Sequence, residues 1–320
     1  MTSLPRLVIC GEALTDFIRE DGQSWRALAG GSCWNVARVG ARLGVPTGFA
    51  GAVSHDVFGA EIMARSTAAG LDLRFLQQVD RPPLLAMIAS QHPPQYFFIG
   101  ENSADLAFDA GRLPSGWLDA VDIVHFGSIS LARQPLAEHL LHVAEAVHAA
   151  GKRIAFDPNY RSLMSDAAYQ PTLRRMAALA TYIKVSDEDL RGLFPGLGEN
   201  AALAQLRAWA PEASVLLTRG VDGMQLLTPH GEYFQPAYAV PVRDTVGCGD
   251  AAMGGWLARM LSGQASDPAG CLVFAAACAA IACCHRGPYA PSEAEVSDFL
   301  RQQGAGVPSA VERLTDAANS

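Results

Sequence analysis

The sequence predicts an α/β protein in which a mostly parallel sheet is covered by helices on both faces and a small separate β-sheet projects from it. Three observations carry this. Short continuous apolar runs such as Leu7-Val8-Ile9-Cys10 suit strands buried on both faces. From Val121 onward such runs alternate with longer helical patterns, as parallel βαβ units do. Residues 14–29 and 84–100 instead read as pairs of short strands around turn signals.

Taken in order, residues 6–10 form the first strand and end at Gly11-Glu12. Residues 14–29 hold two alternating pieces around Asp21-Gly22, with Asp16 on the first. Gly30-Gly31-Ser32-Cys33-Trp34-Asn35 opens a helix through Val36, Val39, Ala41 and Leu43 that stops at Gly44. Residues 49–53 and an alanine-rich helix to Gly70 make the next strand and helix. Residues 84–90 and 95–100 flank His92-Pro93-Pro94 as a second hairpin. Strands are expected at 121–126, 153–156, 182–185 and 215–218, separated by helices ending at 150, around 172–180 and over 201–210. The uncharged stretch 269–284 is too short to span a membrane and suits a buried helix. A single domain over residues 1–302 is expected, with projecting strands within about 12–30 and 84–100, followed by a polar tail at 303–320.

Charge and cysteine usage narrow the function classes. A formal net charge of −8 without a basic cluster argues against nucleic acid or an anionic membrane as partner. The first residues lead into a strand without a charged n-region or cleavage site, so a cytoplasmic protein is expected. The seven cysteines show no C-x-x-C spacing and read as free thiols in a reducing compartment. His55, His139 and His142 read as surface residues rather than metal ligands. Neither G-x-x-x-x-G-K-[ST] nor G-x-G-x-x-G between a strand and a helix is present, which argues against a P-loop enzyme and a dinucleotide dehydrogenase.

The chemistry gathers at Asp244-Thr245-Val246-Gly247-Cys248-Gly249-Asp250-Ala251-Ala252-Met253-Gly254-Gly255. A glycine-spaced loop runs straight into an apolar helix, and the first amides of a helix lack partners and carry the positive end of its dipole. Such a turn suits an anion, phosphate above all. Asp250, one residue past the cradle, is placed to take a proton from a hydroxyl attacking that phosphate. A helix start whose Asp250 only complements the dipole is the competing account.

This stretch resembles the C-terminal signature of the ribokinase-like sugar kinases, in which the last Asp is the catalytic base and Gly-x-Gly forms the anion hole. Cys248 stands where Ala or Gly is usual. Gly30-Gly31 followed by Asn35 is similar to the family's N-terminal signature, and the resemblance runs from about Leu7 to Leu300. It implies a ribokinase-like three-layer α/β/α fold with a small β-sheet lid, and ATP-dependent phosphorylation of a sugar hydroxyl. Asp16, Gly31 and Asn35 would orient the sugar. Asp157-Pro158-Asn159-Tyr160-Arg161 resembles the D-P-N-x-R element of fructokinases and 2-keto-3-deoxygluconate kinases, which places Asn159 by the sugar and Arg161 by the transferring phosphate. A surface salt bridge is the alternative for Arg161.

The resemblance further implies that Lys184, Ser186, Thr218, Gly220 and Gly223 serve the nucleotide, and that Asp189 helps hold magnesium through water. A capped helix start is the competing account for Asp189. Asp244 and the Val246 carbonyl, with the loop 285–292, match the potassium site of many relatives. Lids in several members pair, which implies a homodimer. Gly100 falls where keto-acid kinases present an arginine, favouring a neutral sugar, and Gly11-Glu12, His125-Phe126-Gly127-Ser128 and Lys184-Val185-Ser186 look like bacterial fructokinases. Fructose is the expected substrate, with 2-keto-3-deoxygluconate as the alternative. A sugar-binding regulator that has lost catalysis is the reading from another class, motivated by Cys33, Ser54, Cys248 and Pro288.

Overall fold

The computed structural model describes residues 3–304 except 21, 92, 93 and 264. The expected turn residue Asp21, most of the His92-Pro93-Pro94 turn and the tail from 305 lie outside the described residues. Nine strands form the main sheet: β1 (Leu7–Cys10), β4 (Thr47–Ser54), β5 (Leu76–Val79), β8 (Ile123–Gly127), β9 (Arg153–Asp157), β10 (Tyr182–Ser186), β11 (Ser214–Thr218), β12 (Met224–Thr228) and β13 (Gly231–Gln235). Their order is β13-β12-β11-β10-β9-β8-β1-β4-β5, parallel from β11 to β5 and antiparallel at β12 and β13. The sheet is buried because both faces are covered, as the unbroken apolar runs require. On one face pack α4 (Leu136–Ala149), α5 (Gln170–Leu179), α6 (Asp187–Leu193) and α7 (Glu199–Trp209). On the other lie α1 (Ser32–Arg42), α2 (Val57–Ala69), α8 (Cys248–Leu261) and α9 (Pro268–Cys283).

Successive strand residues divide between these layers. Val8 and Cys10 enter the first, Leu7 and Ile9 the second, as the period of two demands. Trp34 and Trp256 are fully buried in the second layer; Trp34 Nε1 donates to Ser66 Oγ on α2 at 2.9 Å, and Trp256 meets Tyr182 edge-on. Each such side chain contributes roughly 1.5–3 kcal/mol by leaving water. The 269–284 stretch packs mainly on α8, and only its flank reaches β12 and β13. No described helix is long and apolar enough to cross a membrane.

The second sheet has the order β3-β2-β6-β7, from β2 (Leu14–Arg19), β3 (Trp25–Gly30), β6 (Leu85–Gln91) and β7 (Pro94–Ile99). Each hairpin is antiparallel, while the central β2·β6 pair that joins them is parallel. The chain leaves this sheet through α1, β4 and α2 and comes back in the same direction, the long crossover that a parallel pair requires. Alternation gives the sheet two faces. Leu14, Asp16, Ala86, Ile88 and Phe98 face the cleft, while Trp25, Phe97 and Ile99 are exposed at 39%, 56% and 51% on the other side. The single-turn α3 (Trp117–Ala120) and the C-terminal α10 (Glu293–Gln302) complete the helices.

Candidate active site

A cleft of about 600 Å³ lies under the small sheet, at the carboxyl ends of the parallel strands. Five strand ends deliver its floor. Glu12 follows β1, Ser128 follows β8, Asn159 to Arg161 follow β9, Ser186 ends β10 and Thr218 ends β11. Ser128 and Asn159 hold positive φ angles of 57° and 43°, which non-glycine residues adopt sparingly and which cluster at working sites.

The opposite wall is the start of α8. Gly247 caps the helix at φ 81°, and a Cβ there would stand 2.9 Å from Pro288 Cα, so only glycine closes this turn. The first i→i−4 bond of α8 is Ala251 N–H to Gly247 O at 2.8 Å, which leaves the Gly249 and Asp250 amides without an acceptor inside the helix. The Cys248 amide is otherwise engaged, donating to Thr245 O at 3.2 Å. Its sulfur contacts Cys283 Sγ at 2.8 Å and is not part of the cleft wall.

Asp250 is 8% exposed and faces the cleft. Ser32 Oγ donates to its Oδ1 at 2.7 Å and Asn35 Nδ2 to its Oδ2 at 2.8 Å. Asn35 Oδ1 is buried with no partner among the described residues. A buried unpaired acceptor costs stability, so one at a cleft marks where a ligand donor completes the site.

Charge in the cleft is mostly negative: Glu12, Asp16, Glu188, Asp189 and Asp250 face only Arg161 and Lys184. Burial pushes Asp16 up to about 7, with Arg161 opposing and Asp250 and Glu12 adding to the rise. Burial also raises Glu12, against hydrogen bonds from Ser130, Ser128 and the Cys33 amide. Lys184 Nζ pairs with Asp157 Oδ2 at 2.9 Å. Burial alone would lower this lysine, but Asp157 and Asp189 outweigh it and hold the ammonium charged. A Cβ on Gly249 would lie 3.2 Å from Lys184 Nζ, so that charge rests against the α8 amides.

The cleft gathers most of the expected residues: Asp16, Gly31, Asn35, Asn159, Arg161, Lys184, Ser186, Asp189, Thr218, Val246, Gly247, Gly249 and Asp250 all line it. Cys248, Gly220, Gly223 and Asp244 do not. Gly220 and Gly223 shape the turn from β11 to β12, where a Cβ on Gly223 would meet Gln235 O at 2.3 Å. Asp244 accepts the Val246 and Gly287 amides at 3.1 and 2.9 Å and ties the 285–289 loop to the α8 turn. Asp189 closes a capping box with Ser186 and also accepts the Tyr160 amide at 2.7 Å, so the helix-start account describes its bonding. Arg161 Nη1 donates to Asn159 Oδ1 at 2.8 Å and to the Tyr160 carbonyl at 2.7 Å, bracing its own loop.

Sequence reasoning assigned no role to Glu12, Ser32, Asp157, Thr245 or Glu188. A carboxylate at or just beyond the carboxyl end of a buried strand was a usable signal for Glu12 and Asp157. Ser32 carried none, because its partner is 218 positions away.

Comparison with known proteins then identifies the class. The pfkB family carbohydrate kinase profile matches residues 4–295, and the chain belongs to that family. A fructokinase of Rhizobium leguminosarum bv. trifolii is 30% identical over 263 residues, 79% of each chain. An aminoimidazole riboside kinase of Salmonella typhimurium is 29% identical over 262 residues, 80% of this chain and 81% of its own. The crystal structure of a fructokinase with bound ATP from Xylella fastidiosa superposes with a TM-score of 0.85 at 26% identity, covering 94% of this chain and 100% of that one.

Proposed function

We propose that the protein transfers the terminal phosphoryl group of ATP to a hydroxyl of a neutral sugar, fructose foremost. The observation that carries this is Asp250: a carboxylate beside the unpaired amides of α8, held by Asn35, in one cleft with Asp16 and the unpartnered Asn35 Oδ1. Asp16, Gly31, Asn35 and Asn159 hold the sugar hydroxyls. Asp250 takes the proton as the sugar oxygen bonds to the γ-phosphorus, and the bond to the leaving ADP oxygen breaks. The Gly249 and Asp250 amides, Lys184 and Arg161 offset the charge on the transferring group without reorganising. Ser186 and Thr218 border the nucleotide side. The lid excludes water, which competes with the sugar hydroxyl.

Magnesium fits the start of α6, where exposed Glu188 and buried Asp189 present carboxylates and the ion would keep most of its waters. When bound it neutralises phosphate charge. Potassium fits Asp244 and the Val246 carbonyl, since each Asp244 oxygen retains a lone pair beyond its one amide bond. The excess of carboxylates supports a neutral substrate over an acidic one. So does Gly100, where a Cβ would meet Arg133 Nη1 at 2.7 Å, while Arg133 itself pairs with Asp105. The exposed apolar face of the lid supports a homodimer through that sheet. Seven free thiols support a reducing cytoplasm.

The test is ADP release with ATP over fructose, ribose, adenosine, aminoimidazole riboside and 2-keto-3-deoxygluconate, with and without magnesium and potassium. Fructose should give the highest kcat/KM, with turnover dependent on magnesium and enhanced by potassium. Sugar binding without ADP release from any of them would make the chain a regulator instead.

A further inference from the structure

Asp250 is gripped twice from one helix. Its two donors, Ser32 and Asn35, stand three residues apart and so share a face of α1. Asn35 belongs to the sugar site by its free acceptor; Ser32 does not follow from that reading. A serine in the first turn of a helix ordinarily bonds to the nearby backbone. Here α1 starts at Gly31 without a side-chain cap, and the buried Glu12 carboxylate takes the Cys33 amide instead. The Ser32 hydroxyl is thereby released to reach α8.

We propose that Ser32 is a positioning residue for phosphoryl transfer, fixing the plane of the Asp250 carboxylate; this rests on Asp250 being the proton acceptor. The terminal torsion of an aspartate is broad, so one anchor at Oδ2 lets the other oxygen swing. A second anchor at Oδ1 fixes both oxygens, and each keeps a lone pair for the sugar hydroxyl. Ser32 also borders the cleft, so direct contact with the sugar is the competing role. The two part in their kinetics: an anchor acts on kcat, a substrate contact on KM.

The test compares Ser32→Ala and Ser32→Thr with wild type by ADP release, using fructose or the sugar of the panel that is phosphorylated fastest, with Asp250→Asn as control. Ser32→Ala is expected to lower kcat about tenfold, the low end for one hydrogen bond to a charged group, with sugar KM within about twofold. Ser32→Thr, which keeps a hydroxyl, should recover most of that loss, and all three Tm values should agree. Unchanged kcat in Ser32→Ala, a rise in KM alone, or an equal loss in Ser32→Thr overturns the anchor. An inert Asp250→Asn beside an unimpaired Ser32→Ala rejects only this inference, whereas full turnover in Asp250→Asn rejects the base itself.

Discussion

Asp16 shows how burial sets the working range of a single side chain. With its carboxyl pushed up to about 7, it is protonated below that pH and ionised above it. An ionised carboxylate only accepts, and so holds donated sugar hydroxyls more strongly. The sugar KM should therefore fall as pH rises through about 7, and in Asp16→Asn it should be high and flat; a flat wild-type profile would contradict this. Asp16 itself was legible from the resemblance, but its environment was not. The neighbours that raise it, Glu12 and Asp250, arrive from β1 and α8 and meet only in three dimensions. Asp244 shows the converse: its place in a motif was legible, whereas the second of its two amide bonds depends on Gly287 in a separate loop.

At the scale of elements, the seam between α1 and α8 brings both donors to Asp250. A Cβ on Gly254 would stand 2.6 Å from Val39 on α1, and one on Gly255 would stand 2.7 Å from Cys278 Sγ on α9. The Met-Gly-Gly run thus lets α8 lie close to both neighbours. Gly254→Ala overpacks the seam, which costs about 1–3 kcal/mol, and should lower Tm and reduce kcat more than it raises KM. An unchanged Tm with full kcat would show that the helices are not in tight contact. The helix was legible, from a glycine loop leading into an apolar run; its packing partner was not, since nothing local marks Val39. The capped start of α6 at Ser186 and Asp189 was legible as the alternative for that stretch, and α10, which had no sequence expectation, carried the same signal, since Ser292 with Glu295 spells a capping box. The β12–β13 hairpin was harder, because Met224 to Thr228 does not alternate cleanly.

At the scale of the molecule, one sheet does two jobs. Its inner face closes the cleft and its outer face sets Phe97, Met87, Phe17 and Ala27 in one row across four strands, with Trp25 and Ile99 flanking; Phe97, Trp25 and Ile99 are exposed, Met87 is half-buried, and Phe17 meets Phe58 of α2 edge-on. Exposed apolar residues clustered on one face mark where another chain docks. If a second copy covers it, sedimentation should give a dimer for wild type and a monomer for Phe97→Asp; a wild-type monomer would contradict the pairing. The parallel sheet, its helical layers and the projecting strands were legible in the alternation of short apolar runs and helical patterns. Strand order and the parallel β2·β6 pair were not, because they depend on where the chain returns.

The most direct measurement of the central claim is the turnover of Asp250→Asn, with sugar affinity determined on the same preparation. Loss of the proton acceptor should reduce kcat by about 10² to 10⁴ while the sugar Kd changes little. A variant that still turns over at the wild-type rate would contradict the account.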